Sequence, residues 1–595
     1  MRLLTGFIAI TIWLWPLWAA AQDVRLTLEG GDEALESQLR NASLLVALER
    51  DGAEAPQDYV AAARADYERL LTGLYQAGHY GGTISIRVDG QEAVTLDPLL
   101  PRASVGQVEL RIEPGPRFSF GRTRVAPVAA ATTLPEGFAT GNPARSNVIR
   151  EATRAAIAGW RAEGHALAEP IQQDITANHP ARELDVAVRI APGPVLRYGE
   201  IAVTGVERSR PARIRSIAGL RPGDRFDPAA IARAEANLRR TGAFASATVI
   251  EGEEANTDET LPIALRIVEQ PLRRLGFGAE YSTVSGLTLS SFWLHRNLLG
   301  GAERLRIEAD ITGLAGTTGG IDYGLTASFL RPATFRSDTD FYADLAIEQR
   351  DDPQFVERRI MVEAGFIRRI RDEAVVELGL GYRAGEVEDS QGTRRYQVLT
   401  LPIAGTRDRR NNEFDATSGY YAHLEIMPFL GLADSGNGVR VYGDGRVYRS
   451  FGAEDHVTLA LRGQAGAVWG AQAVDVPASF LFFSGGGGTV RGQPFQSLAV
   501  DLGGGNEIGG RAFVGAQAEA RVGITENIGV VGFYDTGFIG ADAFDFGSGS
   551  WQSGAGLGLR YDTGIGPIRL DLAAPASGPD AGERLEVYLG IGQAF

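Results

Sequence analysis

The sequence predicts three small α+β modules followed by a 16-stranded antiparallel transmembrane β-barrel. In the first half, a pair of strands separated by a Pro-Gly-Pro break recurs about 78 positions later, which is typical of repeated modules. In the second half, glycine-rich turns separate short segments of alternating apolar and polar residues, a pattern typical of strands. Beyond the first 21 residues no run approaches the roughly 18 apolar residues of a membrane-spanning helix, so any membrane would have to be crossed by strands.

The first 21 residues predict a secretory signal peptide. One positive charge, Arg2, precedes an apolar run at residues 3–18, and three alanines follow at residues 19–21. The run is short for a bilayer-spanning helix, and small residues at its end are typical of a cleavage site. We therefore expect the mature chain to begin near Gln22, outside the cytoplasm; an uncleaved anchor helix is the alternative.

The module boundaries follow from the repeated segment. VELRIEPGPRFSFGRTRV at residues 108–125 is matched by VAVRIAPGPVLRYGEIAV at residues 186–203, and IALRIVEQP at residues 263–271 opens a third copy. In the first two copies a strand of alternating apolar residues ends at the proline-rich break, where the next strand begins. We therefore place the three modules at residues 22–114, 115–192 and 193–270.

Each module is predicted to contain helices between its strands. Asp227 and Pro228 can cap and start a helix that Gly242 closes in the left-handed conformation. Similar helical patterns run from Asp58 to Ala77 and from Ser146 to Glu163, and a glycine follows each. A strand, then helices, then further strands make a small α+β unit whose sheet edge could accept an extended strand of another chain.

Residues 271–595 are predicted to form the barrel. Between Arg511 and Val522, apolar side chains share one face, while Gln517, Glu519 and Arg521 share the other. In a barrel the first face contacts lipid and the second a wet lumen. About sixteen such segments fit this length at roughly 10 residues per strand with turns, and closure into a cylinder removes unpaired strand edges.

The composition argues against enzymatic and nucleic-acid functions. The chain has no cysteine, all 58 basic residues are arginine, and the formal net charge is −16. Thiol chemistry and a lysine nucleophile are thereby excluded, and a nucleic-acid partner is disfavoured. The six histidines are scattered, without His-Glu-x-x-His metal spacing, and no Gly-x-Ser-x-Gly nucleophile motif is present. We therefore expect no catalytic residue, no metal and no cofactor.

Four motifs in the second half resemble those of the BamA/TamA superfamily of outer-membrane assembly factors, in the same order. The resemblance implies a barrel of the bacterial surface antigen type, and the three modules resemble the polypeptide-transport-associated (POTRA) domains that precede it. The most specific motif is the run GLGLRYDTGIGPIRLDLAAP before the last segment. The motifs lie at residues 408–420 (DRRN through GY), 490–492 (VRG), 533–537 (FYDTG) and 556–575.

The resemblance implies that a long loop folds into the barrel lumen through one arginine. In the superfamily this arginine, here Arg491 in the tip Val490-Arg491-Gly492, pairs with acidic residues of the wall, which would be Asp535 and, less directly, Glu519. A guanidinium forms two hydrogen bonds with a carboxylate, and breaking such a pair away from water costs about 3–5 kcal/mol. Gln493 departs from the family pattern, which has an aromatic residue at this position.

The resemblance also implies a weak seam between the first strand, near residues 275–283, and the last strand, near residues 585–595. Glycines in both strands reduce side-chain packing and permit bending. A terminal phenylalanine resembles the end of an outer-membrane assembly signal. We expect the seam to open sideways toward lipid, so that a strand of another barrel protein, the client, can pair with the exposed edge. The seam residues are Gly276 and Gly278 in the first strand and Gly590, Gly592 and Phe595 in the last.

The sequence therefore predicts a protein that inserts or secretes client barrels, such as autotransporters, and is not an enzyme. Three modules favour the TamA type, because BamA usually carries five, and this type implies an inner-membrane-anchored TamB-like partner. The expected location is the outer membrane, where lipid surrounds the barrel, with the modules in the periplasm. Two alternatives stay open: a two-partner-secretion transporter, although these generally carry two modules and a plug helix, and a passive porin with periplasmic domains.

Overall fold

A computed structural model describes the chain from residue 23 onward, with short gaps. The described residues are 23–52, 55–97, 100, 104–282, 286–316, 319–371, 373–452, 456–525, 527–543, 545–564, 566–578 and 581–595. The predicted signal peptide lies outside them. The chain divides into two compact units, one made of residues up to 199 with 223–229 and 253–261, the other of residues 200–222, 230–252 and 262–595.

The first module consists of three helices and a four-stranded sheet. Its elements are β1 (Asp23–Leu28), α1 (Glu33–Ala42), α2 (Leu44–Arg50), α3 (Pro56–Ala77), β2 (Thr83–Val88), β3 (Gln91–Glu92) and β4 (Gln107–Glu113). The strand order is β1-β4-β2-β3, with β1 parallel and β2 antiparallel to β4. Alternate residues of β4, such as Leu110, share one core with Leu70 and Leu74 of α3. As predicted, α3 ends where Gly78 takes a left-handed φ of 90°.

The second module has one helix where the sequence predicts more than one. Its elements are β5 (Ser119–Ala126), α4 (Ser146–Ala162), β6 (Glu169–Asn178) and β7 (Glu183–Ala191), with strand order β5-β7-β6. The described residues 127–145 contain no helix. Pro127, Pro135 and Pro143 explain this difference, because proline inside a helix removes a hydrogen bond and clashes with the preceding turn.

The third module has two helices and three strands. Its elements are β8 (Arg197–Thr204), α5 (Pro211–Ala218), α6 (Pro228–Arg240), β9 (Phe244–Glu251) and β10 (Thr260–Glu269), with strand order β8-β10-β9. The predicted cap is present, because the Asp227 carboxylate accepts a hydrogen bond from the Ala229 amide at 2.8 Å. Gly242, after α6, has a φ of 67°.

The second half forms one large antiparallel sheet. Its segments are β11 (Arg273–Ser282), β12 (Gly286–His295), β13 (Arg304–Leu314), β14 (Asp322–Arg331), β15 (Thr339–Asp352), β16 (Phe355–Arg371), β17 (Ala374–Asp389), β18 (Gly392–Thr400), β19 (Ile403–Asp408), β20 (Gly419–Leu432), β21 (Gly438–Phe451), β22 (Val457–Trp469), β25 (Ala512–Gly523), β26 (Ile528–Gly540), β27 (Gly549–Tyr561), β28 (Ile568–Pro575) and β29 (Glu586–Ile591). The hairpin β23 (Val500–Gly503) and β24 (Asn506–Ile508) stands apart from this sheet.

The sheet has sixteen strands, as predicted, because two of its segments are halves of one strand. β18 and β19 both pair with β17 and with β20. They are separated only by Leu401 and Pro402, and proline has no amide hydrogen for the ladder. We therefore count β18 and β19 together as the eighth barrel strand.

Polar and apolar side chains alternate across the barrel wall. In β25 the side chains of Gln517, Glu519 and Arg521 are buried and face the lumen, and their neighbours face outward. Many outward-facing side chains are large, apolar and exposed, which suits a surface in contact with lipid better than one in contact with water. They include Leu345, Ile347, Ile360, Val362, Leu378, Leu380, Leu424, Ile426, Leu459 and Leu461.

The two ends of the sheet are the first and the last barrel strand. The hydrogen-bonded strand order begins at β11 and ends at β29, and within the described residues no backbone pairing joins these two strands. β29 has only six residues, because the chain turns at Gly592, where φ is 85°. The wall therefore has a seam whose facing strands share no hydrogen-bond ladder.

Candidate functional site in the barrel lumen

The long loop between β22 and β25, residues 470–511, folds back into the barrel; we call it the lumen loop. It follows the eleventh strand and is thus the sixth loop at the end of the barrel away from where the chain enters β11. Phe480 and Phe482 of the loop share an apolar core with inward-facing residues of the wall. The ring centroid of Phe482 lies 5.8 Å from that of Phe513, and that of Phe480 lies 5.1 Å from that of Phe429. The loop therefore fills part of the lumen with apolar side chains.

Arg491 of the lumen loop lies among three acidic residues of the wall. Its Nε and Nη2 donate to the two oxygens of Asp535 at 2.7 and 2.9 Å. Its Nη1 donates to Glu519 at 2.7 Å and to Asp571 at 3.1 Å. The guanidinium carbon also lies 3.6 Å from the centroid of the Phe533 ring. Burial lowers the pKa of Arg491, but hydrogen bonding and attraction to these carboxylates outweigh burial and raise the pKa.

Two further arginines balance the charge of this group. Arg521 Nε donates to Glu519 at 2.9 Å, and Arg560 Nη1 donates to Asp571 at 2.5 Å. With Arg491 and Asp535, these residues make three arginines and three carboxylates, each at most 7% exposed. We call the six residues the lumen ion cluster. Equal numbers of opposite charges in direct contact allow all six groups to stay ionised away from bulk water.

Sequence reasoning missed three members of the cluster: Arg521, Arg560 and Asp571. A signal was available, because strand alternation places Arg521 on the same face as Glu519, and Arg560 and Asp571 belong to the long motif at residues 556–575. Alternation gives the face of a side chain but not its depth along the lumen. Which carboxylates reach the loop depends on how far the loop descends, and no local pattern encodes this.

Glycines let the loop tip approach the wall closely. Gly492 has a φ of 89°, and a Cβ there would lie 2.6 Å from main-chain atoms of Ala574. A Cβ on Gly554 of β27 would collide with the carbonyl oxygen of Arg491. The Gly492 amide donates to the Tyr588 hydroxyl at 3.1 Å, which joins the loop tip to the last strand. Val490, beside it, is fully buried.

Gln493 replaces the aromatic residue of the family pattern and is anchored by hydrogen bonds. Its side-chain amide donates to the carbonyl oxygens of Ser553 and Ser577, both at 2.8 Å, and the residue is 3% exposed. Phe495, two residues later, is 42% exposed. The departure from the family pattern therefore exchanges an apolar contact for two hydrogen bonds, of which the one to Ser553 is buried.

The predicted seam glycines occupy different environments. Gly276 and Gly278 lie in β11, and a Cβ on Gly276 would overlap the ring of Phe292 on the next strand. Gly276 therefore makes room for an aromatic ring. Gly590 lies in β29, whereas Gly592 lies beyond the end of β29 and turns the chain.

The alternation predicts that Phe595 continues the outward face of the last strand. In the structure it does not. Leu589 and Ile591 of β29 are 75% and 62% exposed, but Phe595 is 7% exposed. Its ring packs with Tyr448 and Ala460 on strands far from the seam. The left-handed turn after β29 explains the difference, because it redirects the last residues into the lumen.

Within the described residues, no group of three or more His, Cys, Asp or Glu side chains is arranged to hold a metal ion. No helix in the described ranges is long and apolar enough to cross a membrane.

Known proteins resemble the chain along most of its length. The outer-membrane protein assembly factor BamA of Neorickettsia risticii (strain Illinois) is 22% identical over 558 residues, which is 85% of this chain and 72% of that protein. The crystal structure of BamA from Haemophilus ducreyi lacking POTRA domains 1-3 matches with a TM-score of 0.61 and 16% identity, over 79% of this chain and 98% of that one. CdiB from Acinetobacter baumannii matches with a TM-score of 0.50 and 11% identity, over 79% and 88%.

Family models match both halves of the architecture. The Omp85 superfamily domain matches residues 297–595, which is half of the chain, and the surface antigen variable number repeat, a POTRA model, matches residues 196–270. The chain therefore belongs to the Omp85 superfamily: it is a non-enzymatic assembly or translocation factor for outer-membrane proteins, with its barrel in the outer membrane and its POTRA modules in the periplasm.

Proposed function

We propose that the protein inserts unfolded barrel proteins, including autotransporter-type clients, into the outer membrane through a lateral gate between β11 and β29. The observation that carries this proposal is the unpaired seam in a wall whose other strands are all joined by backbone ladders. A client strand that pairs with β11 gains main-chain hydrogen bonds without first breaking a ladder. Such pairing depends on the backbone rather than on client sequence, which suits a factor with many clients.

The exposure of side chains on the two seam strands also supports the lateral gate. In β11, Leu275 and Phe277 are 62% and 79% exposed, and β29 exposes Leu589 and Ile591 on its outward face. β11 spans ten residues, and its free edge is a template of about the length that a transmembrane barrel strand needs. The six residues of β29 offer a shorter edge. We infer that the client pairs first with β11.

The filled lumen favours insertion over passive diffusion or secretion through the pore. The lumen loop places Phe480 and Phe482 in an apolar core with the wall, and Arg491 fixes the loop tip by three ion pairs. A diffusion porin needs a polar, water-filled lumen. Emptying this lumen would cost the apolar core and the ion pairs together, so the lateral route is the less costly one.

The periplasmic modules have exposed strand edges to which a client segment could bind before insertion. β6 of the second module is an edge strand of ten residues with most side chains exposed, including Ile171 and Ile175. An extended client segment can add to such an edge by β-augmentation. We infer that the modules pass client strands toward the seam in this way.

Three modules support assignment to the TamA type, and we propose a TamB-like inner-membrane-anchored protein as the periplasmic partner. Deletion of the gene followed by comparison of the outer-membrane proteome tests this assignment. Selective loss of autotransporter-like barrels is expected. A general loss of barrel proteins would contradict it and would indicate a BamA-like role.

Insertion itself is tested with the purified protein in liposomes. We expect an unfolded autotransporter barrel, diluted from urea, to reach its heat-modifiable folded form at least about tenfold faster than in protein-free liposomes. Single-channel recordings of the same liposomes should give low and irregular conductance. Large, steady channels without faster client folding would replace the proposal with a porin.

A further inference from the structure

The last four residues, Gly592–Phe595, form a strap inside the barrel, which we call the terminal tail. The tail leaves β29 and reaches the turn at residues 409–418 between β19 and β20. The Gly592 amide donates to the carbonyl oxygen of Pro567 at 2.7 Å, and the Gln593 amide donates to that of Phe414 at 2.9 Å. Both the tail and this turn follow an even number of barrel strands, so they lie at the end of the barrel where the chain enters β11.

The wall holds the end of the tail through one aromatic side chain and one main-chain oxygen. The Phe595 ring lies in a buried cluster with Ala416, Tyr448 and Ala460. Arg521 Nη2 donates to the main-chain oxygen of Phe595 at 3.2 Å, and the Arg521 guanidinium carbon lies 5.7 Å from the centroid of the ring. Arg521 is therefore shared between the tail and the lumen ion cluster.

A second arginine of the cluster also binds the tail. Arg560 Nε donates to the Gln593 side-chain oxygen at 2.7 Å, and the Gln593 side-chain nitrogen donates to Asp415 at 3.1 Å. The same Arg560 donates through Nη1 to Asp571, which accepts from Arg491 of the lumen loop.

Two continuous chains of contacts therefore connect the loop tip to the tail. One runs from Arg491 through Glu519 and Arg521 to Phe595. The other runs from Arg491 through Asp571 and Arg560 to Gln593. In both, a wall carboxylate lies between two arginines, so the loop tip and the tail are bound to the same two carboxylates through different arginines.

We propose that the terminal tail and the lumen loop are coupled, so that release of the tail loosens the loop and release of the loop loosens the tail. Arg521 and Arg560 are the positioning residues of this coupling. Through this coupling, a client that displaces the tail at one end of the barrel would also loosen the docking of the lumen loop. The coupling is a property of the protein without client, so it stands or falls independently of the lateral gate.

The absence of native cysteine allows the coupling to be measured with single thiol probes. Val490→Cys places a thiol at a fully buried position of the loop tip, where maleimide reacts only after the loop undocks. In the purified protein, Phe595→Ala and Gln593→Ala should each raise the labelling rate of this thiol on the order of tenfold, within the range typical of coupling between sites. Ile591→Ala is the matched control, because Ile591 is 62% exposed on the outward face of β29.

Thermodynamic coupling is reciprocal, which gives a second and independent readout. Ala594→Cys reports release of the tail, and Arg491→Ala should raise its labelling rate by a similar factor. Heat-modifiable migration in gels confirms that each variant still folds as a barrel, and Gln593→Glu, which keeps the size of the side chain, serves if Gln593→Ala does not fold. Labelling rates in tail variants equal to that of Ile591→Ala, or an effect in one direction only, would overturn the coupling.

Discussion

Replacing Arg491 with alanine is expected to undock the lumen loop while the barrel wall stays folded. The substitution removes two hydrogen bonds to Asp535 at 2.7 and 2.9 Å, one each to Glu519 and Asp571, and the contact with the Phe533 ring. The wall itself is held by backbone ladders that do not involve this side chain. The loss should therefore be local.

Asp535 sets the magnitude of the effect. Glu519 and Asp571 retain Arg521 and Arg560 as partners, but in the part of the chain that the structure describes Arg491 is the only residue that donates to Asp535. Removing one partner of a buried ion pair costs about 3–5 kcal/mol. At about 1.4 kcal/mol per factor of ten, the undocked fraction should rise about 150- to 4,000-fold.

The assay is maleimide labelling of Val490→Cys with and without Arg491→Ala, in parallel with client insertion into liposomes. Labelling should accelerate by the factor given above, and insertion should fall while heat-modifiable migration of the barrel persists. Arg491→Lys should give an intermediate rate, because an ammonium keeps the charge but lacks the two-pronged geometry.

Arg584→Ala provides the matched control, because Arg584 pairs with Glu586 at 2.6 Å but is 51% exposed. A surface pair contributes about 0.2–1 kcal/mol, so labelling should change less than about fivefold. If Arg491→Ala labels no faster than this control, or inserts clients at the normal rate, the reasoning about the loop is refuted.

Three further substitutions probe the loop contacts. Gln493→Leu removes the hydrogen bonds to the carbonyl oxygens of Ser553 and Ser577 and should weaken docking by about 1–3 kcal/mol, and an unchanged labelling rate of Val490→Cys would contradict this. Gly492→Ala combines a φ of 89° with a clash against Ala574 and should undock the tip in a barrel that still migrates as folded; normal labelling would argue against the geometry. Tyr588→Phe removes one acceptor of the Gly492 amide and should raise labelling by no more than about tenfold, as for loss of a hydrogen bond of about 1 kcal/mol.

The backbone period made much of the fold predictable from the sequence. Side chains alternate across a strand at every second residue, so the inward position of Gln517, Glu519 and Arg521 follows from their spacing alone. Glycines after helices were equally informative, because a left-handed residue such as Gly78 ends a helix by local sterics. The pairing of Arg491 with acidic wall residues was predicted from the Val490-Arg491-Gly492 motif and not from strand periodicity.

Contacts between distant segments were not predictable in the same way. The second module has a single helix because three prolines interrupt the chain before it. The prediction gave more weight to the repeat pattern than to these prolines and therefore expected more than one helix. The inward course of the tail could not be read from its alternation, because one left-handed residue, Gly592, reverses the face of everything after it. Asp571 joins the cluster across 80 positions of sequence, and only the folded loop brings it to Arg491.

A covalent lock across the seam tests the central claim most directly. In the cysteine-free chain, Ala279→Cys in β11 is joined to Val587→Cys in β29 by a short bismaleimide, and client insertion is measured before and after cross-linking. The matched control joins Leu345→Cys and Val362→Cys, which already face each other on β15 and β16. We expect the seam lock to abolish insertion and the control lock to leave it intact. Undiminished insertion with a fully cross-linked seam would contradict the lateral gate.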